Sequence, residues 1–534
     1  MSLLDTLITG AEVIDGTGNS RTRCDIGIRG DRITYLGTSP HVRAERTVTA
    51  DDMIVTPGFI DPHSHSDWSI LGNRDALSTV HQGVTTEVVG NCGVTYAPLH
   101  PADVATAQSA LSSLGYSDPV QWRSFGELIQ LVHDTGTAQN LVWFVGHTAL
   151  RTAARSRAAA ESVDEHGERV RLLEDAMDVG AIGLSSGLEY GSGRFADADE
   201  LADLARVVGQ RNGMYASHIR NRDAQLATAV DEFFDIVHRS GARAQLSHLN
   251  VRHNTGAEPG AWERAAQRVV GERQRGVDVL ADMTPYPHGI GLASGLLPPW
   301  LADRPAAEVA ALLADAEVRT RVRDDADRYW RFVHRGQWER VRLNVSPSHP
   351  QWEGLTFPEI AELSGTDEWD CFFTVLSAAG EDIGGVQLLG ELFTDDHLAE
   401  AIAHDHFLLG VDAFTTHRGG PLGARTRDPL FYYGHTHYLA HHVSTGTLTL
   451  EDAVHRMTGM VADHFRIADR GYLREGSFAD VVVLDPEILA GTNTWTMPQQ
   501  YADAARHVWV NGVPVVTDAT HNGHRPGRML PHNP

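Results

Sequence analysis

The sequence predicts an α/β fold, a TIM-type (β/α)8 barrel with a small β-domain built from both ends of the chain. Three observations carry this expectation. Short apolar runs alternate with helical stretches through the middle of the chain, the pattern of repeated βα units and a parallel sheet. Glycine-broken strand patterns recur at both ends. The 534 residues are enough for one large domain and a smaller one.

The N-terminal strands come first: Leu7–Gly16, Ile26-Gly27-Ile28 and Ile33–Gly37 are apolar stretches interrupted by glycine. The same style returns in Ala479–Asp485 and His507–Gly512, so residues 1–55 plus 470–534 are expected to form the small β-domain. Between them, residues 56–469 carry the barrel. Its strand candidates are Ile54–Ile60, Val84–Val89, Leu141–Val145, Ala181–Leu184, Gly213–Ser217, Arg243–Ser247, Val277–Asp282, Gly385–Leu389 and Phe407–Val411. An eight-stranded barrel has no room for nine, so one of them is not a strand or belongs to an irregular segment. Asp197–Arg211 and Ala224–Ser240 are among the intervening helices. Residues 288–350 break the rhythm, opening with the Gly/Pro-rich Gly289–Pro299, and read as a lid-like insertion over the barrel mouth.

Composition narrows the function. A net charge of −26 argues against nucleic acid or an anionic membrane surface as a partner. No run approaches 18 apolar residues, and the N-terminus lacks a basic segment followed by an apolar one, so a cytoplasmic protein is expected. Three cysteines are too few for a disulfide framework. All 44 Lys+Arg positions are arginine, which closes Schiff-base chemistry and a carboxylated-lysine metal bridge to this chain.

The strongest local signal is Pro57–Asp67, where an apolar strand runs into His63-x-His65. Alternate strand residues face one side, so both imidazoles can point into a barrel, at the strand end where barrel enzymes place catalytic groups. A lone His-x-His is weak among 29 histidines; His404-x-His406 and His435-x-His437 also occur. Chain order strengthens the first pair. Cys92 follows the second strand in Gly90-Asn91-Cys92-Gly93, His218 closes Met214–Ser217, His248 closes Ala244–Ser247, and Asp412 closes Phe407–Val411. Ligands converging from separate strand ends are what a metal site in a barrel requires. Imidazole and thiolate suit zinc, which with an open position lowers the pKa of bound water to roughly 7. Asp412 is then placed to take the proton of that water and hand it to a leaving nitrogen.

These residues resemble the amidohydrolase superfamily, and within it the N-acyl-D-amino-acid deacylases (D-aminoacylases). The matching motifs are Pro57–Asp67, Gly83–Gly93, Gly183–Tyr190, Ser217–Arg220, Ser247-His248, Asp282–Tyr286, Gly410–Asp412, and Asp469–Gly471 with Ala479-Asp480. The likeness spans nearly the whole chain. It implies a distorted barrel with a small β-sandwich and removal of an acyl group from the amide nitrogen of a small N-acyl substrate. It also implies one tightly bound zinc, held mainly by Cys92, His218 and His248, with a weaker second site at His63, His65 and Asp412. Cys92 stands where other members of the superfamily carry the carboxylated lysine.

The substrate pocket departs from the family pattern. Family members hold a free α-carboxylate with a lysine, a tyrosine and an arginine; here those positions are Asn250, Thr284 and, by the nearest alignment, Asp428-Pro429-Leu430. Two readings stand. Arginines such as Arg220, Arg252, Arg418, Arg425 and Arg427 take the carboxylate by another geometry, or the substrate has no carboxylate there, and the sequence leans to the second. Tyr190, His147 and Tyr286 lie in family-like motifs and, with Arg220 and Asn250, are the candidate substrate contacts. Hydrolytic opening of a lactam, imide or lactone is the alternative reaction. A non-catalytic binding relative is disfavoured because all six metal and proton-transfer residues are present.

Overall fold

The computed structural model describes residues 3–38, 41–302, 304–326, 330–490 and 499–532. Eight parallel strands form the central sheet: β1 (Phe59–Asp61), β2 (Val84–Val89), β3 (Asn140–Gly146), β4 (Gly183–Gly187), β5 (Met214–His218), β6 (Arg243–Leu246), β7 (Val279–Met283) and β8 (Phe407–Leu409). Each pairs with its neighbour in chain order, from Phe59↔Val84 to Ala281↔Phe407. The seam between β8 and β1 is closed just beyond the strands: Ser64 bridges Ala413, Asp412 N donates to His63 O (2.9 Å) and His65 N donates to Ala413 O (2.7 Å). This closure places Asp412 beside both histidines.

Period-two alternation sorts the strand side chains. Ile60, Val88, Val142, Phe144, Ile182, Met214, Ala216, Leu280 and Leu408 form one cluster, which Val461 and Phe465 join. Their sequence neighbours Val89, Leu141, Trp143, Tyr215, Phe407 and Leu409 belong to the larger core, shared with the helices. The helix Ala198–Gln210 is typical of that shell. Asp197 caps it by accepting from Glu200 N (2.8 Å), and Leu201, Leu204, Ala205 and Val208 bury one stripe.

The run Ile54–Ile60 does not form a single strand. Ile54–Pro57 joins a seven-stranded sheet with Val481–Leu484, Ala505–Val510, Val513–Thr517, Thr520–His521, Glu12–Val13 and Thr22–Arg23, whereas β1 belongs to the barrel. The break falls at Gly58, where a Cβ would lie 2.1 Å from Thr85 Oγ1, so only glycine allows the approach. A four-stranded sheet of Arg32–Gly37, Asp25–Arg29, Leu4–Thr9 and Ala44–Thr49 lies over it. Ile8, Ile26, Ile28, Ile33, Val55, Val481, Val483 and Trp509 share the core there. Val482 and Leu484 point the other way, into the barrel's core.

The surplus strand candidate is Gly385–Leu389. It falls largely in Gln387–Glu391, which pairs antiparallel with His288–Leu292 and Val341–Val345, outside the barrel. A short apolar run looks alike in a parallel barrel and in a small covered sheet, so periodicity cannot separate the two. Of the 288–350 insertion, residues 303 and 327–329 lie outside the described residues, as do 491–498 of the C-terminal segment. Among the described residues, no helix is long and apolar enough to cross a membrane.

Candidate active site

Four of the predicted ligands converge at the C-terminal end of the barrel. His63, Cys92, His248 and Asp412 each offer one donor atom, and these atoms all lie within 4.8 Å of one another. His63 Nε2 is 3.2 Å from Cys92 Sγ and 3.4 Å from Asp412 Oδ1. His248 Nε2 is 3.5 Å from the same sulfur and 4.0 Å from Asp412 Oδ2. The other two flank the group. His65 Nε2 is 3.1 Å from Asp412 Oδ1, and the His218 ring lies 4.5 Å from that of His248.

Backbone conformation aims these side chains inward. Cys92, His248 and Asp412 all have positive φ, at 53°, 34° and 58°, a conformation that bulky residues adopt only where the surroundings enforce it. Each lies two or three residues past the end of a strand, where the left-handed residue turns the chain over the barrel mouth. Glycines carry the same curvature around Cys92: Gly90 and Gly93 both have φ 76°, and a Cβ on Gly93 would meet Gly187 N at 2.7 Å.

Further side chains fix the ligands. Asp282 Oδ1 lies 3.1 Å from His63 Nδ1 and accepts from His248 N (2.9 Å), while Gln245 donates to its other oxygen (2.6 Å). Asp61 accepts from His63 N (2.9 Å). His218 Nε2 meets Glu189 Oε2 at 2.8 Å, and Glu189 is gripped in turn by both terminal nitrogens of Arg252, at 2.6 and 2.5 Å. A carboxylate on the outer nitrogen fixes the tautomer of a ligating imidazole.

The electrostatics favour a cation. Burial alone would push the Cys92 thiol up, but the charge of His63 and hydrogen bonds from His218, His248 and His63 outweigh it and hold the thiol well below its ordinary range. Asp412 is likewise lifted by burial yet held at about 2 by His63, His65 and His248. His63 and His65, which burial pulls down, are raised by Asp282, Cys92 and Asp412, His65 to about 10. The cluster thus gathers positive charge from protons, which a divalent cation replaces. Two imidazoles, a thiolate and a carboxylate whose donor atoms lie within 4.8 Å of one another fit zinc.

The candidate substrate contacts are distributed unevenly around this centre. Tyr190 touches it: its hydroxyl donates to Cys92 O (3.2 Å) and its ring lies 4.8 Å from His218. Asn250 is fully buried and donates to His248 O (2.5 Å). Tyr286 stacks on His437 at 4.1 Å, and His147 pairs with Glu200 (2.8 Å). Arg220 is committed to Glu232 and to the carbonyls of Arg194 and Ala196. Of the other arginines, Arg418 lies over Tyr501 and Arg427 pairs with Glu353. The structure adds Glu189, Arg222, Asp223 and Asp282 to the neighbourhood. Glu189 and Asp282 sit inside motifs visible in the sequence, at strand ends, but nothing local distinguishes them from surface charges.

Residues 421–516 match a family described as amidohydrolase. The chain is 33% identical to an N-acyl-D-glutamate deacylase of Alcaligenes xylosoxydans xylosoxydans, over 99% of this chain and 96% of that one. The fold superposes on an N-acyl-D-glutamate deacylase of Bordetella bronchiseptica, complexed with zinc and a phosphonate mimic of the tetrahedral intermediate. That match has a TM-score of 0.81 and 29% identity, over 99% and 100% of the two chains. A D-aminoacylase structure concerned with a binuclear metal centre matches with TM-score 0.79 and 26% identity over the same shares.

Proposed function

Because this chain belongs to the amidohydrolase family, among the N-acyl-D-amino-acid deacylases, we propose that His63, Cys92, His248 and Asp412, with His65 and His218 beside them, form its zinc site and that Asp412 is its proton carrier. The enzyme is a zinc-dependent hydrolase of amide C–N bonds other than peptide bonds, acting on small N-acyl compounds. One observation supports the assignment of roles above the others. His63, Cys92 and His248 are between 0 and 3% exposed, whereas the Asp412 side chain is 31% exposed. Of these four donors, Asp412 is the one that an incoming amide and a water both reach.

Zinc, when bound, supplies Lewis acidity toward the amide carbonyl and raises the acidity of water. The side chains do the rest. Asp412, held ionised by His63 and His65, accepts the proton of the attacking water on a carboxylate oxygen. Its low proton affinity lets it return that proton to the amide nitrogen as the C–N bond breaks, releasing a carboxylic acid and an amine. Glu189 and Asp282 hold His218 and His63 in register throughout. Residues 56–469, with 288–350 inserted over the mouth, make up the catalytic unit in this reading, and 1–55 plus 470–534 the small β-domain beside it. All three cysteines are free, which supports the cytoplasm as the compartment.

Two variants test the reading together. Cys92→Ala combined with His248→Ala is expected to lose zinc, measured by elemental analysis; stoichiometric zinc in that variant removes the ligand assignment. Asp412→Asn is expected to keep zinc and lose turnover by about 10²- to 10⁴-fold, while full activity removes Asp412 as the proton carrier. Mass spectrometry of the products completes the test, since deacylation yields two molecules and ring opening one.

A further inference from the structure

The 288–350 insertion is docked on the loop that follows β6: Arg335 donates to Asn254 O (3.1 Å) and Arg340 to His253 O (2.9 Å). A third arginine of the insertion, Arg331 on the short helix Arg331–His334, meets a side chain instead. Its Nε lies 3.0 Å from Oδ2 of Asp223, a carboxylate with no exposed surface.

Asp223 leads directly to the ligand histidines. The same Oδ2 faces Arg252 Nη1 at 3.1 Å. Arg252 grips Glu189, at 2.6 Å through Nη1 and 2.5 Å through Nη2, and Glu189 Oε2 meets His218 Nε2 at 2.8 Å. Four contacts, none longer than 3.1 Å, thus join the insertion to an imidazole of the metal centre, in the order Arg331, Asp223, Arg252, Glu189, His218. Arg331, 29% exposed, is the water-facing end of this chain.

The middle of the chain is contested. Arg252 Nη1 is shared by two buried carboxylates, and Glu189 has the shorter contact. The other Asp223 oxygen is buried with no hydrogen bond among the described residues, so Asp223 depends on the cations at Oδ2. A buried carboxylate that loses a cation pulls harder on the one that remains. Without Arg331, the guanidinium of Arg252 is drawn toward Asp223 and its hold on Glu189 slackens. We propose, on the zinc-site reading above, that Arg331 is a positioning residue for the metal centre: seated on Asp223, it lets Arg252 hold Glu189 against His218, so that the docked insertion completes the centre.

Chelator competition on the full-length protein reads this link as zinc affinity. Arg331→Met is expected to weaken zinc binding by about 3- to 10-fold, the size of effect that residues acting through a contact network exert on a site. Arg331→Lys should stay within about twofold of wild type, because a single donor meets Asp223 and an ammonium can replace it. With Asp223→Asn already in place the competing charge is gone, and adding Arg331→Met should then change zinc affinity by less than about twofold. The visible spectrum of the cobalt(II)-loaded protein, which follows ligand geometry rather than global stability, should shift in Arg331→Met and return in Arg331→Lys. Should Arg331→Met fail to fold, Arg331→Gln replaces it under the same expectations. Unchanged zinc affinity and spectrum, or an equal loss with and without Asp223→Asn, would overturn the proposal. A wild-type protein that takes up no zinc removes the metal-site reading and this proposal with it, whereas a zinc-binding wild type leaves any failure to Arg331 alone.

Discussion

At Asp412, three residues past β8, the chain adopts a left-handed backbone, and the same conformation recurs at Cys92 and His248. Asp and His tolerate it better than most residues, cysteine less so, and here the surrounding contacts overrule the preference. These residues were legible in the sequence because each ends an apolar run in a fixed chain order. Glu189 and Arg222 were not, because a buried charge paired with another buried charge looks, in a sequence, like a solvated one. Glu189 deserves a direct measurement. Glu189→Gln keeps the shape but loses the charge that holds His218 and Arg252, and we expect zinc affinity to fall about 10- to 100-fold by chelator competition. An unchanged affinity would mean that His218 is oriented without it.

Among the elements, the turn after β2 is tightly constrained. Gly90, Cys92 and Gly93 all have positive φ, and both glycines sit where a Cβ would strike backbone atoms, Phe144 O at 2.3 Å and Gly187 N at 2.7 Å. Gly93→Ala therefore forces either the turn or β4 to move, and Cys92 moves with it. We expect about 1–3 kcal/mol of lost stability in denaturant unfolding, together with weaker zinc binding; a variant with wild-type zinc affinity would show that the thiolate is placed independently of the turn. Strand existence was readable because parallel barrel strands, buried on both faces, carry short apolar runs. Strand membership was not. Ile54–Ile60 divides between two sheets at one glycine, and Gly385–Leu389 pairs within the insertion, because which neighbour a strand finds is decided by contacts distant in sequence.

For the molecule as a whole, two buried acids near the barrel mouth couple stability to pH. Burial pushes Glu87 up to about 8 and Asp67 to about 7, with Ser64 and Ser66 donating to one Glu87 oxygen. Both are neutral in the folded protein at pH values where an unfolded carboxyl, near 4.5 for glutamate, has ionised. Between those limits the folded chain holds the extra proton, so stability falls as pH rises from about 4.5 through 8 and levels off above. We expect Glu87→Gln, which cannot ionise, to reduce the drop in Tm between pH 6 and 8.5; an identical drop would show that Glu87 is not the group responsible. The fold class and the order of its elements could be read from sequence, since both follow from local periodicity. The closure of the small sheets could not, since Ile54–Pro57 lies between strands from opposite ends of the chain, parallel to Glu12–Val13 and antiparallel to Val481–Leu484. That arrangement has a consequence for biosynthesis. Pro57 waits for Val481, roughly 420 positions further on, and at ribosomal rates of about 5–20 residues per second the N-terminal strands emerge roughly 20 to 80 seconds before their partner. For that interval an apolar strand edge is open on the nascent chain, and chaperones have their longest opportunity to act there.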